Sequence, residues 1–565
     1  MQKSALKKSH LLCSVVILLA VPLAGLAQER SLIRIATMPD GAEVTGLSTN
    51  AEGDLFLNAQ HPGGKNTFRD DAPPALIGYI AGFDISTASM ALPPEGERTK
   101  VGVASGDYVT FGKAGDTLGS GQVLGGVYDV TGALMYVSNT PDFNGFIPTG
   151  ADTAYLYTGF EGASRDGASA VSKLSLMRKD GRWTADLASS RMLDLSPVDG
   201  GAVLCSGTVT PWGTPLLAEE YFFYNTATWN HPDNHDADEK PGFAGGNDIN
   251  FIKPKNMSAY LGKLANPYDY GYMIEIRNPA SADGEELVKH YATGRLSHET
   301  AAIMPDNKTL YMTDDDSAVY SDKKYNTASG GVFFKFVADI AGDLSAGTLY
   351  AAKITQDNEA DPDKAGFDIA WIELGHGNNA EIAGWIADYD AVTLADWVDG
   401  QTSYISDDEI RAHAAGTAPD ARTAFLESRR TAAAMGATNE WDKLEGVTSN
   451  GNTVYVAASA LSFTMDKSWG HKDWSTGEID MTNGGDIALN AEGCGGTYVA
   501  VTGADYNITR LDPYVIGQTD AAGRCEADLP ANPDNIWAMA DGTLLIGEDA
   551  GPKAHDLDML WMVRN

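Results

Sequence analysis

Residues 444–459 read LEGVTSNGNTVYVAAS, and this stretch decides the fold class. Its apolar runs and its Asn-Gly pair predict a strand, a tight turn and a second strand. Related units, each an apolar strand, a polar turn and another apolar strand, begin at Glu43, Val127, Ala301 and Asn535. Long amphipathic helical patterns are scarce, and the clearest covers residues 407–435. The chain is therefore predicted to be all-β, with loop and short helical insertions.

The five hairpins predict a β-propeller, in which repeated antiparallel sheets form the blades. Their spacing is irregular, so the blades must carry insertions, and the spacing alone gives no blade count. A large β-sandwich or two β domains would also accommodate the pattern. No linker divides the chain, so residues 28–565 are predicted to form a single propeller domain. We expect its functional residues at the end of the central channel, where loops and strand starts meet.

The first 27 residues have the pattern of a signal peptide. Three lysines precede an apolar run over residues 11–23, and small residues lead up to Gln28. A membrane anchor is the alternative, but the run is short for a span, which needs about 20 apolar residues. The leader has no twin-arginine pair. These features predict export by the general secretion route, to the periplasm or the medium.

The chain of 565 residues carries a formal net charge of −37. A surface this acidic repels nucleic acid and anionic lipid, so neither is expected as a partner, and it argues for a monomer. It suits a protein that collects cations. An anionic substrate would need a locally positive site, which bound metal ions could supply.

Cysteine usage is informative in an exported chain. Cys494 and Cys525 lie in a Gly-rich region and could form a disulfide, which would leave Cys205 as a free thiol. Residues 205–220 read CSGTVTPWGTPLLAEE, with Cys205 ahead of Glu219 and Glu220. Adjacent residues on a strand point to opposite faces, so both glutamates can serve one centre only at a strand end or a bulge. A buried cysteine followed by two solvated acids is the alternative.

Other acids recur at the ends of the predicted blade strands. Glu299 follows His298 in GRLSHETA, and three acids at positions 314–316 end the same hairpin, of which we expect at least two to be exposed. Converging carboxylates repel strongly unless cations neutralise them. The remaining candidates at blade ends are Lys443, Glu445, Asp534, Asn535, Glu548 and Asp549.

Four of these segments, in this order, resemble the PhoX-type alkaline phosphatase family. Its members carry a Cys…TPWGT…EE segment, a GRFxHE segment, a PEG segment that opens a blade, and a late PDN segment. Here they read CSGTVTPWGTPLLAEE, GRLSHE, LEG at 444–446 and PDN at 533–535. The first two matches are specific and the last two are loose.

The resemblance implies a six-bladed propeller whose catalytic centre holds ferric (Fe3+) and calcium (Ca2+) ions bridged by an oxo group. It implies metal-assisted hydrolysis of phosphate monoesters, which are small-molecule substrates. Lys443 stands where the family usually has an arginine that clamps phosphate, and is the catalytic candidate. Cys205 would be the thiolate ligand of iron, and the carboxylate ligands would be Glu219, Glu220, Glu299, Glu445 and Asp534.

One segment departs from the family's order. NAQHPGG, which starts at Asn58, resembles a strand expected near the family's C-terminus. Its place near the N-terminus suggests that the ring of blades closes differently, and we assign it no catalytic role.

Two other functions fit the same residues. A calcium-dependent propeller hydrolase, such as a lactonase or a phosphodiesterase, would need calcium but no thiolate. A non-catalytic, calcium-stabilised binding protein of the envelope would need the carboxylates for stability alone.

Overall fold

The computed structural model describes residues 30–68, 73–162, 168–220, 226–235, 254–282, 284–315, 330–469, 471–472, 479–480 and 485–564. The predicted leader, residues 1–27, lies outside the described residues. Within those ranges no helix combines the length and the hydropathy of a membrane span.

Strands are the predominant regular element among the described residues. The strands of the first half of the chain are β1 (Ser31–Thr37), β2 (Glu43–Thr49), β3 (Leu55–Gln60), β4 (Leu76–Ala81), β5 (Gly102–Val103), β6 (Asp107–Lys113), β7 (Gly126–Tyr128), β8 (Leu134–Val137), β9 (Pro141–Gly150), β10 (Thr153–Phe160), β11 (Ala170–Lys179), β12 (Arg182–Met192), β13 (Leu204–Val209), β14 (Pro215–Glu219), β15 (Met273–Arg277) and β16 (Glu286–His290). Those of the second half are β17 (His298–Ile303), β18 (Thr309–Asp314), β19 (Phe334–Ile340), β20 (Asp343–Gln356), β21 (Phe367–Asn378), β22 (Leu444–Asn450), β23 (Thr453–Ala458), β24 (His471–Lys472), β25 (Ile479–Asp480), β26 (Gly496–Val501), β27 (Arg510–Ile516), β28 (Pro533–Ala538), β29 (Leu544–Glu548) and β30 (Met559–Arg564).

These strands form a ring of antiparallel sheets, which we call blades. The described residues contain six of them, the number that the family resemblance implies. The strand nearest the axis, here called the inner strand, is β2, β9, β13, β17, β22 or β28, and each inner strand contacts the next around a closed ring. The predicted all-β propeller is therefore confirmed. Blades 1 to 6 are β2-β3-β4-β6, β9-β10-β11-β12, β13-β14-β15-β16, β17-β18-β19-β20, β22-β23-β26-β27 and β28-β29-β30-β1.

The ring is closed by pairing of the first and last of the described strands. Strand β1 is antiparallel to β30, with Ser31 opposite Arg564 and Thr37 opposite Met559. The first strand is thus an outer strand of the last blade. Blades 4 and 5 are also joined at their outer edges, because β21 pairs with both β20 and β27.

Four of the five predicted hairpins are the first two strands of a blade. The exception is the unit at Val127, which forms β7 and β8, a two-stranded sheet separate from the blades. This part of the prediction was wrong because the alternation that marks a blade hairpin also marks a hairpin inserted between blades. The hairpins β9-β10 and β13-β14 complete the set.

Apolar residues fill the spaces between neighbouring blades. Every residue of β14 and β29 is buried, because a blade has a neighbour on both faces. Between blades 4 and 5, the ring of Trp441 meets those of Phe367 and Tyr498 at centroid distances of 5.5 and 5.7 Å. Burial of a large apolar side chain contributes roughly 1.5–3 kcal/mol to stability, so these seams hold the ring together.

The helices are short and lie in the connections. Residues 407–435, predicted to be a helical insertion, form three helices, and the first begins with a capping box in which Ser406 and Glu409 bond each other's backbone. The helices are α1 (Pro254–Leu261), α2 (Asn379–Ala387), α3 (Asp407–Ala414), α4 (Arg422–Leu426), α5 (Ser428–Ala434) and α6 (Gly551–Ala554).

Cys494 and Cys525 form a disulfide, with their Cα atoms 5.8 Å apart. It ties the start of β26 to the loop that precedes β28. Cys205 is a free, buried cysteine. The predicted pairing is confirmed.

Candidate metal centre

A cavity of about 380 Å³ lies at the axis, where the inner strands begin. Its walls are mostly carboxylates. The lining residues are Glu43, Gln60, His61, Asn66, Glu161, Val203, Cys205, Glu220, Glu299, Asp315, Lys443, Glu445, Asp534 and Asp549.

Each inner strand carries one extra residue against its neighbour, a β-bulge. In blade 3, Leu204 pairs with Glu219 and Gly207 with Leu217, so Cys205 and Ser206 share the space opposite one residue. The same shift occurs in the inner strands of the other five blades. A bulge re-aims a side chain, and bulges are frequent beside functional sites. In five blades the first bulged residue is a potential metal ligand, and these residues, the bulge set, are Asp142, Cys205, Glu299, Glu445 and Asp534.

Blade 1 is the exception, because its first bulged residue is Gly46. A Cβ atom there would lie 2.4 Å from Nδ2 of Asn58 and 2.6 Å from the carbonyl oxygen of Asp142. The backbone also has φ +64°, a conformation that favours glycine. Oδ1 of Asn535 accepts a hydrogen bond from the Gly46 amide at 3.1 Å. Close packing of neighbouring blades therefore excludes a ligand at this position.

The second position of each blade that offers a potential metal ligand is the residue directly after the second strand. In blade 3 this is Glu220, whose amide donates to the carbonyl of Val203, two residues before Cys205. Four other blades repeat this bond, which keeps the two donor positions of a blade side by side. These residues, the strand-end set, are His61, Glu161, Glu220, Asp315, Ser459 and Asp549.

The two sets converge on one another. The Sγ atom of Cys205 lies 3.3 Å from Oε1 of Glu299 and 3.6 Å from Oδ2 of Asp142. Among the described residues, four groups have ligand atoms within 4.8 Å of one another, and together they comprise eight carboxylates and one thiol. The groups are Asp142-Glu161-Cys205, Cys205-Glu220-Glu299, Glu43-Asp534-Asp549 and Glu299-Glu445-Asp534.

Glu219 does not join the cluster, although the family resemblance implied that it would. It is the last residue of β14 and is fully buried. Its two oxygens accept bonds from the amides of Ala202, Gly271 and Tyr272 and from Nζ of Lys289. Adjacent residues of a strand face opposite sides, so Glu219 turns away from the cavity and Glu220 lines it.

The acids that end blade 4's hairpin also differ from expectation. We expected at least two of residues 314–316 to be exposed, but Asp314 and Asp315 are both buried. Position 316 lies outside the described residues. Burial of Asp314 is possible because its carboxylate forms a bidentate ion pair with the guanidinium of Arg429 in α5, with Nε of Arg429 2.7 Å from Oδ2 of Asp314. Asp315 faces the cavity.

Lys443 extends its ammonium group into the cavity. Its Nζ atom lies 2.7 Å from Oε1 of Glu445 and 3.2 Å from Oδ2 of Asp315, and about a third of the side chain is exposed. Burial lowers the pKa of Lys443, but the charges of Asp315 and Glu445 outweigh this effect and raise it above its usual value. The lysine is therefore charged. Its backbone has φ +50°, as Val203 (φ +46°) has at the equivalent position of blade 3.

The NAQHPGG segment, to which we assigned no catalytic role, lines the cavity through Gln60 and His61. Nε2 of Gln60 donates to Oε2 of Glu43 and to Oε1 of Glu161, both at 2.9 Å. His61 lies with Nε2 3.0 Å from Oε2 of Glu43 and Nδ1 3.0 Å from the carbonyl of Gly41. A carbonyl only accepts, so Nδ1 carries a proton.

Sequence reasoning assigned no ligand role to five acids of this site. Asp549 was named only as a candidate at a blade end, and Asp315 only as part of an acidic run. Each follows a bulge-set residue, Asp534 or Glu299, at nearly the spacing that separates Cys205 from Glu220, so a search for that spacing would have found both. Glu43 precedes the bulge of its strand, and the hairpin that positions Asp142 and Glu161 was not recognised, so these three acids have no such signal.

Burial and mutual repulsion favour the uncharged forms of the cluster. Burial, followed by the charge of Asp142, raises the pKa of Glu161 to about 8. Burial, followed by the charge of Asp315, raises the pKa of Glu445 to about 7. Burial and the charges of Asp142 and Glu299 raise the pKa of the Cys205 thiol.

The donor set fits a mixed metal centre. Carboxylates are the ligands that calcium prefers, and both carboxylate and thiolate suit ferric iron. Among the described residues, Oδ1 of Asp315 and Oε1 of Gln60 are buried acceptors with no hydrogen-bond partner, which a cation or its water could supply. Bound cations would also reverse the repulsion that raises the carboxyl pKa values.

Comparison with known proteins gives one family. The family model described as alkaline phosphatase PhoX matches residues 184–563. The fold is similar to the solved structure of Pseudomonas fluorescens PhoX in complex with vanadate, a transition state analogue. The identity is 17%, the TM-score is 0.51, and the match covers 94% of this chain and 87% of that one. A glucose dehydrogenase matches with 9% identity and a TM-score of 0.35 over 95% of this chain and 99% of that one. No curated protein sequence gives a significant match.

The raised pKa values predict how pH affects the metal-free protein. A carboxyl whose pKa is higher in the folded than in the unfolded state stabilises the fold below its unfolded pKa, and this stability is lost as pH rises through the folded pKa. Burial raises the pKa of Asp142 to about 6, the pKa of Glu445 to about 7 and the pKa of Glu161 to about 8. We expect the Tm of chelator-treated protein, measured by calorimetry, to fall between about pH 6 and about pH 8.

Two controls sharpen this measurement. Added calcium should abolish the fall, and Glu161→Gln should make the fall smaller in the metal-free protein. A Tm that stays level or rises over this range would show that the cluster does not hold protons in place of cations.

Proposed function

Since the chain belongs to the PhoX alkaline phosphatase family, we propose that it hydrolyses phosphate monoesters at a centre of ferric and calcium ions held by its carboxylate cluster. The observation that carries this proposal is the convergence of five bulged residues from five blades, with one thiol among them. Residues 28–565 would be a single catalytic unit.

The ligands proposed for this centre come from both donor sets. Cys205 would hold iron, because a thiolate is the softest donor present and calcium prefers oxygen. Glu220, Glu299, Glu445 and Asp534 would be carboxylate ligands, as the resemblance implied. Glu43, Asp142, Glu161 and Asp549 extend the set.

Charge explains why cations are needed for this substrate. Of the described residues that line the cavity, Lys443 is the one lysine or arginine. A phosphate monoester is an anion, and the carboxylates alone would repel it. Metal ions at such a centre neutralise phosphoryl oxygens and lower the pKa of water.

Lys443 would bind a phosphoryl oxygen through Nζ. Its ion pairs with Glu445 and Asp315 hold the ammonium at the cavity wall, and the bent backbone before β22 directs it there. A lysine provides a point charge, whereas the arginine that the family usually has at this position can bind phosphate in a bidentate manner.

Export of the protein is part of the proposal. The disulfide between Cys494 and Cys525 supports it, because such bonds persist in oxidising compartments. The leader pattern in residues 1–27 agrees with a destination in the periplasm or the medium.

The activity is tested on purified mature protein with p-nitrophenyl phosphate, bis(p-nitrophenyl) phosphate and a lactone. We expect turnover of the monoester at alkaline pH, its loss after treatment with a chelator, and its recovery when ferric iron and calcium are added together. Cys205→Ser should lose both iron and turnover. Hydrolysis of the diester or the lactone that needs calcium and is unaffected by Cys205→Ser would contradict the proposal and favour another propeller hydrolase.

Lys443 is tested separately by substitution. Lys443→Gln should lower kcat/KM for the monoester about 100-fold, because a charge that stabilises the transferring phosphoryl group is removed. Lys443→Arg keeps the charge and should retain most of the activity. Lys353→Gln is the matched control, since Lys353 also forms an ion pair, with Asp486, but does not line the cavity. Unchanged kcat/KM in Lys443→Gln would remove Lys443 from the mechanism.

A further inference from the structure

In three blades, the strand-end residue directly follows a buried carboxylate that turns away from the cavity. We call these buried carboxylates the anchor carboxylates, and they are the last residues of β14, β18 and β29. All three are fully buried, and none lines the cavity. They are Glu219, Asp314 and Glu548.

Glu219 binds the chain on both sides of its strand in blade 3. Oε1 accepts from the amide of Ala202, which lies shortly before Cys205, at 3.0 Å. Oε2 accepts from the amides of Gly271 and Tyr272, just before the third strand of the blade, at 2.9 and 3.0 Å. Nζ of Lys289 lies 3.0 Å from Oε1 and balances the charge.

Asp314 makes the same connections in blade 4. Oδ1 accepts from the amide of Ser297, two residues before Glu299, at 2.9 Å. Oδ2 accepts from the amide of Val332, just before the third strand, at 3.1 Å. The guanidinium of Arg429 supplies the opposite charge.

Glu548 repeats the pattern in blade 6. Oε1 accepts from the amide of Ala531, shortly before Asp534, at 2.9 Å and from Nε1 of Trp561 at 2.6 Å. Oε2 accepts from the amide of Met559, the first residue of the third strand, at 3.0 Å, and lies 3.1 Å from Nδ1 of His555.

One carboxylate in each of these blades thus bonds the loop that leads to a bulge ligand, while the next residue along the chain is a strand-end ligand. We propose that Glu219, Asp314 and Glu548 are positioning residues of the metal centre, each of which sets the distance between the two ligands of its blade. This inference rests on the proposed metal centre. The ligand pairs so positioned are Cys205-Glu220, Glu299-Asp315 and Asp534-Asp549.

The physical reason is the short range of metal–ligand bonds. A site that binds a cation tightly needs ligand atoms fixed to within a fraction of an ångström. Loss of an outer group that holds ligands in position typically weakens metal binding ~10- to 100-fold, and the anchors act in this way through the backbone next to the ligands. Both oxygens of each anchor are used, so the loop and the strand end cannot shift independently. A single conservative change should therefore loosen both ligands at once.

The test measures calcium binding by the metal-free, full-length mature protein, using calorimetry with calcium alone. Glu219→Gln and Glu548→Gln keep the shape of the side chain and remove an acceptor. We expect each to bind calcium ~10- to 100-fold more weakly than the wild type. The matched control is Glu275→Gln in blade 3. Glu275 is also buried and has four partners, but none of them lines the cavity, and they are Trp212, Thr214, Arg277 and His290.

The control separates positioning from stability. Glu275→Gln should lower Tm as the anchor variants do but keep the calcium affinity of the wild type. Equal affinity in the anchor variants and the wild type, or equal loss in Glu275→Gln, would overturn the inference. If an anchor variant does not fold, Trp561→Phe removes one bond to Glu548, and it must bind calcium more weakly than Glu275→Gln for the inference to stand.

Failure of the inference and failure of the proposed activity are distinguishable. A wild-type protein that binds calcium but hydrolyses no phosphate ester would remove the proposed function, while the affinity differences would still decide the role of the anchors. A wild-type protein that binds no calcium would overturn both.

Discussion

Repulsion among buried carboxylates is the constraint on which this structure depends. Eight carboxylates and a thiol meet at the axis, and the one lysine or arginine among the described cavity residues, Lys443, cannot neutralise them. Without cations, the cluster must hold protons, as the raised pKa values of Glu161 and Glu445 indicate. With cations, the same donors become a strong binding site. The strongly acidic composition of the chain is consistent with a protein that acquires metal ions.

The propeller satisfies this constraint by repetition. Each blade offers two positions toward the axis, the first bulged residue of the inner strand and the residue after the second strand. Amide–carbonyl bonds, such as that from Glu220 to Val203, keep the two positions adjacent. Different residues at these positions, from Gly46 to Cys205, then shape one centre from one backbone pattern. Function is thus set by which side chains occupy positions that the fold already provides.

Much of this arrangement could be predicted from the sequence. Hairpin patterns identified the fold class and four blades, and the disulfide followed from cysteine counting. The family resemblance placed Cys205, Glu220, Glu299, Lys443, Glu445 and Asp534 together. It did not separate Glu219 from Glu220, because alternation along a strand puts adjacent residues on opposite faces without marking which face meets the cavity. At least two of the three acids at 314–316 were expected to be exposed. The burial of Asp314 could not be anticipated, because its partner, Arg429, lies on a helix more than 100 positions away in the chain.

The presence of iron and calcium at the axis can be decided by anomalous diffraction from crystals of the purified mature protein, collected on both sides of the iron edge. We predict an iron peak within bonding distance of Sγ of Cys205, and calcium density among Glu43, Asp534 and Asp549 or among Glu299, Glu445 and Asp534. Metal-free density, with these carboxylates paired through shared protons at the same positions, would contradict it.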